Sequence, residues 1–555
     1  MNLVSIFHAG LSVRLQIALS TVLSCIFTGC MAMGMRLSIK PTPPLTAIVL
    51  CTAALLVLSF FIINAIWNYG NRKAATVAQI RKPVKFCIIT SCIIFICWIP
   101  ILLAGFPGFF NYDVGNAWLS QSLQVETGEY NAHHPILHTF FLGATMNIGQ
   151  TIFGSYNAGI ATSVISQALL LSALFGFSLK QMLDMGLSRN WAIGTVVYWA
   201  ANPIVGMFAF STTKDVIFSA LVLLYVSISI NVFKNGSVQT QAIKKIPIVL
   251  MSLLAMLIMV LRANAIVAII LTIPFVLSLI QKSVRKPFFI AMVTAVLLSS
   301  LWLGPISNLL KIEPSPIGSW NSLCVPIQQI AYVAQSDNIS KEDRLAIEKI
   351  PDLSYNSQLS DTARKSFMKS GISKEDFFSL WAQIGIKYPE HYLKAFLLLT
   401  QDAWNPFAII DPYSSGNKTT DVFEFKTKEP GSQHTKLPHL SSALNWISSE
   451  RGPERIPLLG LAISIPFYLA VLCITFSRCI LIKDTAAMAS LALILLLAIS
   501  NFFGPCMLIR YFLHIFFGFP LLLYLLFRPI YIDRNNGLNA TEQNKPGSAE
   551  TRLFK

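Results

Sequence analysis

Thirteen long apolar runs constrain this chain more than any other feature of its sequence. They lie at about residues 16–37, 45–67, 86–106, 136–153, 158–180, 191–210, 216–233, 246–262, 264–281, 287–306, 456–482, 485–503 and 507–527. A membrane-spanning helix needs about 20 predominantly apolar residues. Hydrophobic residues make up 54% of the 555 positions and charged residues only 12%. The runs therefore predict an all-α polytopic membrane protein and exclude an ordinary soluble enzyme, a disordered chain and a disulfide scaffold.

A polar segment at 307–455 separates the first ten runs from the last three. It holds 17 of the 26 acidic residues and 16 Lys and Arg, a balance typical of a small folded domain. The sequence Ser-Lys-Glu-Asp occurs at 340–343 and again at 373–376, and each copy predicts a capped helix start. We expect this segment to form a mainly helical domain with a loop at about 402–438.

The distribution of Lys and Arg predicts the orientation. The loop 68–85 has five cations and no acid, which is typical of a cytoplasmic loop, whereas 107–135 has three acids and no Lys or Arg. Two later clusters of Lys and Arg fall on the cytoplasmic side only if the run 136–153 does not cross. We therefore predict twelve spans, an external or re-entrant helix at 136–153 and both termini inside. The same bias accounts for the formal charge of +16 without a nucleic-acid partner.

This orientation divides the chain into five parts. They are two N-terminal spans with a basic loop (1–85), a transmembrane core with an acidic first external loop at 107–157 (86–306), an extracytoplasmic domain (307–455), the C-terminal spans (456–527) and a disordered cytoplasmic tail (528–555).

Ionisable residues near the outer ends of the spans are the candidate site. They are Asp113, Lys214, Asp215, Arg262 and Arg510. Charge inside a membrane is costly and usually marks either function or a paired structural role. The three cations suit an anionic group in a dry cavity, because Arg binds phosphate through two nitrogens and Lys binds it as a point charge. Ion pairing of Lys214 with Asp215, and snorkelling of Arg510, are the structural alternatives.

Asp113 lies in an external loop without cations, so an ionised carboxylate there can act as a base or a ligand, or cap a turn. His134 and His138 are four residues apart, which on one helix face suits a divalent metal with Asp113 as third ligand. Polar packing explains these histidines equally simply. Gln328 and Gln329 line a cavity mouth or belong to an amphipathic helix on the membrane.

The order of several short motifs is similar to that of the GT-C superfamily of integral-membrane glycosyltransferases, and closest to a poorly characterised bacterial branch. The resemblance covers about residues 86–527. Its motifs are FPGFFNYDVGNAW, HHPILH, FSTTKD, LRANAIV, VPIQQIAYV and GPCMLIRYF. It implies a GT-C-like bundle in the bacterial cytoplasmic membrane, and a polyprenyl-phosphate sugar used on the outer side.

The resemblance assigns roles by position. Asp113 matches the acidic base, and Lys214, Arg262 and Arg510 match donor-phosphate contacts. The supporting positions are His133, His134, Asp215, Asn264, Gln328, Gln329 and Tyr511. Val114 stands where many members carry a second acid. Binding of a divalent metal is therefore left open, and its candidate ligands are Asp113, His134 and His138.

The predicted function is that of an inverting glycosyltransferase, with a polyprenyl-phosphate-linked donor. The acceptor is a cell-envelope glycan, lipid or protein on the outer face. Two alternatives remain open: a transporter or flippase of a lipid-linked envelope precursor, and a non-catalytic envelope assembly protein. The sequence names neither the sugar nor the lipid carrier.

Overall fold

The computed structural model describes most of the chain. The described residues are 3–38, 42–70, 83–110, 130–132, 134–235, 245–313, 318–408, 427, 431–448 and 457–528. Asp113, His133 and the C-terminal tail lie outside them.

The first group of helices runs from the N-terminus to the polar segment. It comprises α1 (Leu3–Ser38), α2 (Leu45–Gly70), α3 (Pro83–Ala104), α4 (Ile136–Phe153), α5 (Tyr156–Asp184), α6 (Arg189–Ala201), α7 (Pro203–Ala209), α8 (Lys214–Asn235), α9 (Lys245–Leu261), α10 (Ala263–Leu279) and α11 (Lys282–Leu301), which continues through a π turn (Trp302–Ile306) to Leu309.

The second group forms the domain within 307–455, called the outer domain after its predicted position, and the end of the bundle. It comprises α12 (Gly318–Asn321), α13 (Cys324–Ala334), α14 (Lys341–Glu348), α15 (Asp361–Ser370), α16 (Lys374–Lys387), α17 (Pro389–Trp404), α18 (Pro438–Ser448), α19 (Pro457–Ile463), α20 (Ile465–Leu481), α21 (Thr485–Asn501) and α22 (Ile509–Phe527). Two short strands, β1 (Tyr130–Asn131) and β2 (Ile312–Glu313), pair in parallel.

Within the described ranges, seven helices are long and apolar enough to cross a membrane, in agreement with the predicted all-α membrane protein. They are Val13–Ser38, Leu45–Tyr69, Pro83–Ala104, Tyr156–Asp184, Lys214–Lys234, Lys282–Leu309 and Ile509–Phe527. The pair α6 and α7, bent by 60°, makes an eighth if it is one span. α9, α10, α20 and α21 are apolar but shorter, so the number twelve stays a prediction. α4 is not among the candidate spans, in line with the charge pattern.

Helix α8 is the centre of the bundle. Its side chains are buried along nearly the whole length, because α5, α9, α21 and α22 pack around it. A helix that is apolar on every side is expected in such a position. α8 therefore carries Lys214 and Asp215 at one end of the bundle and Lys234 at the other.

The outer domain has a hydrophobic core of its own, built around Ile327, Phe367 and Phe377. Both Ser-Lys-Glu-Asp sequences cap helices as predicted. The Ser340 hydroxyl accepts a hydrogen bond from the backbone N–H of Asp343 at 3.1 Å, and the Ser373 hydroxyl accepts one from that of Asp376 at 3.0 Å.

The outer domain rests on the turn between α21 and α22. The backbone N–H of Ser360 donates to the carbonyl of Pro505 at 2.9 Å, and Leu359 packs with Cys506 and Leu508. This turn leads directly into Arg510. The outer domain therefore covers the end of the bundle where the predicted site residues lie.

Candidate anion-binding site

The site begins with a break between α6 and α7. There the Asn202 side chain accepts a hydrogen bond from the N–H of Ile204 at 2.9 Å, and Pro203 starts α7. After α7 the chain turns at Phe210 and continues without helical structure to Thr213, and all four residues are buried. Gln167 satisfies part of this backbone by donating to the carbonyls of Ala209 at 3.1 Å and Ser211 at 2.7 Å. Irregular backbone at this depth needs such partners.

Phe109, at the start of the loop that was predicted to be external, lies beside this segment. The N–H of Phe109 donates to the carbonyl of Phe210 at 2.9 Å, and the N–H of Thr212 donates to the carbonyl of Phe109 at 3.1 Å. Asp113 follows Phe110 by three residues in the sequence. Phe109, four residues before Asp113, therefore lies beside the residues that lead into α8.

Lys214 contacts the segment that precedes α4. Its Nζ lies 3.2 Å from Nδ1 of His134, which is buried. α4 begins at Ile136, so His134 lies just before the helix and His138 lies within its first turn. The two histidines are therefore not both on the helix, and the Lys214 cation lies beside His134. The metal site itself stays a prediction, because Asp113 lies outside the described residues. Among the described residues no three metal-ligating side chains form a cluster.

Asp215 and Arg262 form a buried ion pair. Arg262 Nε lies 3.4 Å from Asp215 Oδ1, and the two side chains are 12% and 1% exposed. The Thr213 hydroxyl donates to the other carboxylate oxygen at 3.2 Å. The guanidinium lies between the rings of Phe218 and Tyr511, at 5.2 and 5.0 Å from their centres, which adds cation–π attraction.

Arg510 joins the site through the same tyrosine. Its guanidinium carbon lies 5.2 Å from the centre of the Tyr511 ring. Burial raises the pKa of the nearby Cys506 thiol to about 12, and the positive charge of Arg510 opposes that rise. The field of Arg510 therefore reaches the turn on which the outer domain rests.

Asn264 completes the set. Its side-chain N–H group donates to the Ser500 hydroxyl at 2.9 Å and to Asn501 Oδ1 at 3.4 Å. Asn501 in turn donates to the carbonyl of Tyr511 at 2.9 Å. The first turn of α10 is thus linked through Asn501 to the first turn of α22.

The described contacts join seven of the predicted site residues at one end of the bundle. They are His134, Lys214, Asp215, Arg262, Asn264, Arg510 and Tyr511. The four charged members carry three positive charges and one negative charge, which suits an anionic ligand of low charge. Asp113 and His133 lie outside the described residues.

Gln328 and Gln329 have contacts inside the outer domain instead. Gln328 is buried and donates to the carbonyl of Asn356. Gln329 donates to the carbonyl of Tyr392 at 3.3 Å and accepts from the Trp381 indole at 2.8 Å. These bonds cross-link α13 to α16 and α17, which is a packing role within the domain.

Sequence reasoning missed four residues of the site: Thr213, Phe218, Asn501 and His514. His514 is fully buried, and its ring lies 6.5 Å from that of Phe218. Its spacing gave a signal, because His514 comes one helical turn after Arg510 in the same apolar helix. Phe218 and Asn501 gave none, because their contacts are with other segments of the chain. Thr213 contacts Asp215 two residues later, but the sequence does not show that its hydroxyl faces this carboxylate.

Comparison with known proteins places the chain in a family. No curated protein and no solved structure matches it. One family model matches residues 124–529, a region that includes every predicted site residue except Asp113. Because this match covers well over half of the chain, the protein belongs to the family of unknown function DUF6020.

Proposed function

We propose that this protein is a membrane glycosyltransferase of the GT-C type. It transfers a sugar from a polyprenyl-phosphate-linked donor to a cell-envelope glycan, lipid or protein on the outer face of the bacterial cytoplasmic membrane. The observation that carries the proposal is that Lys214, Arg262 and Arg510 lie at a single end of the bundle. Arg262 is paired with the buried Asp215, and both arginines lie against the Tyr511 ring. In this proposal the chain crosses the membrane twelve times, with 307–455 outside.

The cations have a defined task in such a reaction. When the bond between the anomeric carbon and the phosphate oxygen breaks, its electron pair goes to that oxygen, and a phosphate diester becomes a monoester with more negative charge. Preorganised cations in a site that excludes water stabilise charge that develops in the transition state. Lys214 and Arg510 face this charge, while Asp215 fixes the orientation of Arg262.

Asp113 is the proposed base. It takes the proton of the acceptor hydroxyl as the oxygen attacks the anomeric carbon from the side opposite the phosphate, which inverts the configuration. Three extended residues span at most about 11 Å, so the sequence separation from Phe110 limits how far Asp113 can lie from it. In this proposal the outer domain binds the acceptor.

Transport of a lipid-linked precursor is the second candidate, and the 60° break between α6 and α7 favours it. Broken helices with buried backbone are common at the substrate sites of transporters. Purified protein in lipid nanodiscs, given polyprenyl-phosphate sugars and envelope acceptors, distinguishes the two. Sugar transfer that disappears in Asp113→Asn supports the transferase. Movement of intact donor across proteoliposomes, without transfer, supports transport.

A further inference from the structure

Tyr511 is the residue that both arginines of the site have in common. Arg262 and Arg510 lie 5.0 and 5.2 Å from the centre of its ring. Arg262 Nη1 also makes a long contact of 3.5 Å with the Tyr511 carbonyl oxygen. Whatever fixes the backbone of Tyr511 therefore fixes the relative positions of the two guanidinium groups.

Asn501 makes the shortest of these contacts to Tyr511. It is the last residue of α21, is 4% exposed, and donates to the Tyr511 carbonyl at 2.9 Å. Its side-chain oxygen accepts from Asn264 at 3.4 Å. The Asn501 side chain thus contacts both α10, which starts after Arg262, and α22, which starts before Arg510.

We infer that Asn501 is a positioning residue for the phosphate site, acting through Tyr511 on Arg262 and Arg510. The inference rests on the proposed function for the identity of the ligand, a polyprenyl phosphate. Asn501 touches no proposed reacting group itself. Its loss lets the first turn of α22 shift against α10, and two cations aimed at one phosphate then lose their common geometry. A misplacement of about 1 Å at a catalytic site can cost about 100-fold in rate.

A matched control exists at the other end of the bundle. Asn231 is 8% exposed and donates to the carbonyl of Gln181 at 2.8 Å, so it also joins two helices through a buried amide. Asn231→Ala and Asn501→Ala each remove two contacts of a buried amide. We expect a similar cost in stability for both, about 1 kcal/mol per hydrogen bond. Only Asn501 lies beside the arginines.

The experiment measures binding of undecaprenyl phosphate to the full chain in nanodiscs by native mass spectrometry. We expect Asn501→Ala to weaken binding about tenfold and Asn231→Ala to leave it unchanged, at equal thermal stability. The isosteric Asn501→Asp, which also places a carboxylate beside Arg262, should weaken it further and covers the case in which the alanine variant does not fold. Wild-type affinity in both Asn501 variants would overturn the inference and leave the proposed function intact.

A measurement that needs no ligand tests the positioning role of Asn501 separately from the proposed function. Hydrogen exchange of the peptide covering 502–514 should increase in Asn501→Ala and not in Asn231→Ala. If wild type does not bind the lipid phosphate, the proposed function fails, and this exchange still decides whether Asn501 fixes the start of α22. Unchanged exchange would refute the positioning role.

Discussion

Asp343 in the outer domain and Asp215 in the bundle are both buried carboxylates, but they differ in the number and length of their hydrogen bonds. Asp343 accepts hydrogen bonds from Lys387 at 2.7 Å, Ser340 at 2.6 Å and Tyr388 at 2.9 Å. Asp215 has one hydroxyl at 3.2 Å and an ion pair at 3.4 Å, and within the described chain its Oδ1 has no hydrogen bond. Asp343 ties the start of α14 to the end of α16, whereas Asp215 has fewer and longer contacts and, in the proposed reaction, orients Arg262.

The largest expected effect comes from removing the cationic partner in each region. Arg262→Ala leaves Asp215 as an unpaired buried charge, which should destabilise the protein by about 3–5 kcal/mol. Lys387→Ala removes a partly exposed lysine from a carboxylate that keeps its hydroxyl donors, so the loss should be about 1 kcal/mol. Thermal unfolding of the full chain in detergent measures both. Equal losses would remove the distinction between the two carboxylates.

The next effect concerns function and separates the two ends of α8. Lys214→Gln should lower sugar transfer by about 100- to 1,000-fold, the usual cost of deleting one group that stabilises developing charge. Lys234→Gln, at the opposite end of the same helix, is the control and should leave transfer within about twofold, since a surface charge far from the reacting phosphate is screened. Initial rates in nanodiscs compare them. A Lys214→Gln variant with wild-type rates would contradict the proposed site.

The two Ser-Lys-Glu-Asp sequences allow a sharper comparison inside the outer domain. Asp343 is buried and bound from three sides, whereas Asp376 is exposed and hydrogen-bonded to Ser373. Asp343→Asn should destabilise the domain by about 2 kcal/mol, because hydrogen bonds to a charged acceptor are lost. Asp376→Asn should cost about 0.5 kcal/mol or less. Hydrogen exchange of the α16 amides, measured in the full chain, distinguishes the two. Sugar transfer at permissive temperature should survive both changes.

The smallest expected effect is a pH dependence of the outer domain. Hydrogen bonds from Lys387 and Ser340 lower the pKa of Asp343 from its usual 3.8 to about 2. A carboxylate with a depressed folded-state pKa stabilises the fold fully above its unfolded value and loses that contribution as the pH falls through about 2. Stability of α14 and α16 should therefore decline between about pH 4 and pH 2. Asp343→Asn should flatten that decline, and an unchanged slope would assign it to other groups.

Much of the fold was predictable because membrane burial leaves a direct trace in the sequence. The long apolar runs correspond to helices, and the charge bias separated 136–153 from the spans. Local chemistry also succeeded where the partners are neighbours in the chain, as at Ser340 and Ser373. The metal site stays a prediction, because Asp113 lies outside the described residues and the start of α4 after Pro135 leaves His134 just before the helix that contains His138.

The sequence by itself determined that the chain is helical and membrane-embedded, and which few charges lie near span ends, because apolar length and charge cost depend on local composition. Tertiary structure alone decided which of those charges meet. Asp215 pairs with Arg262 across 47 residues, and Asn501 and Tyr511 become neighbours only because a turn folds α22 back along α21. Contacts between distant segments depend on how helices pack, and one sequence carries no periodicity that records them.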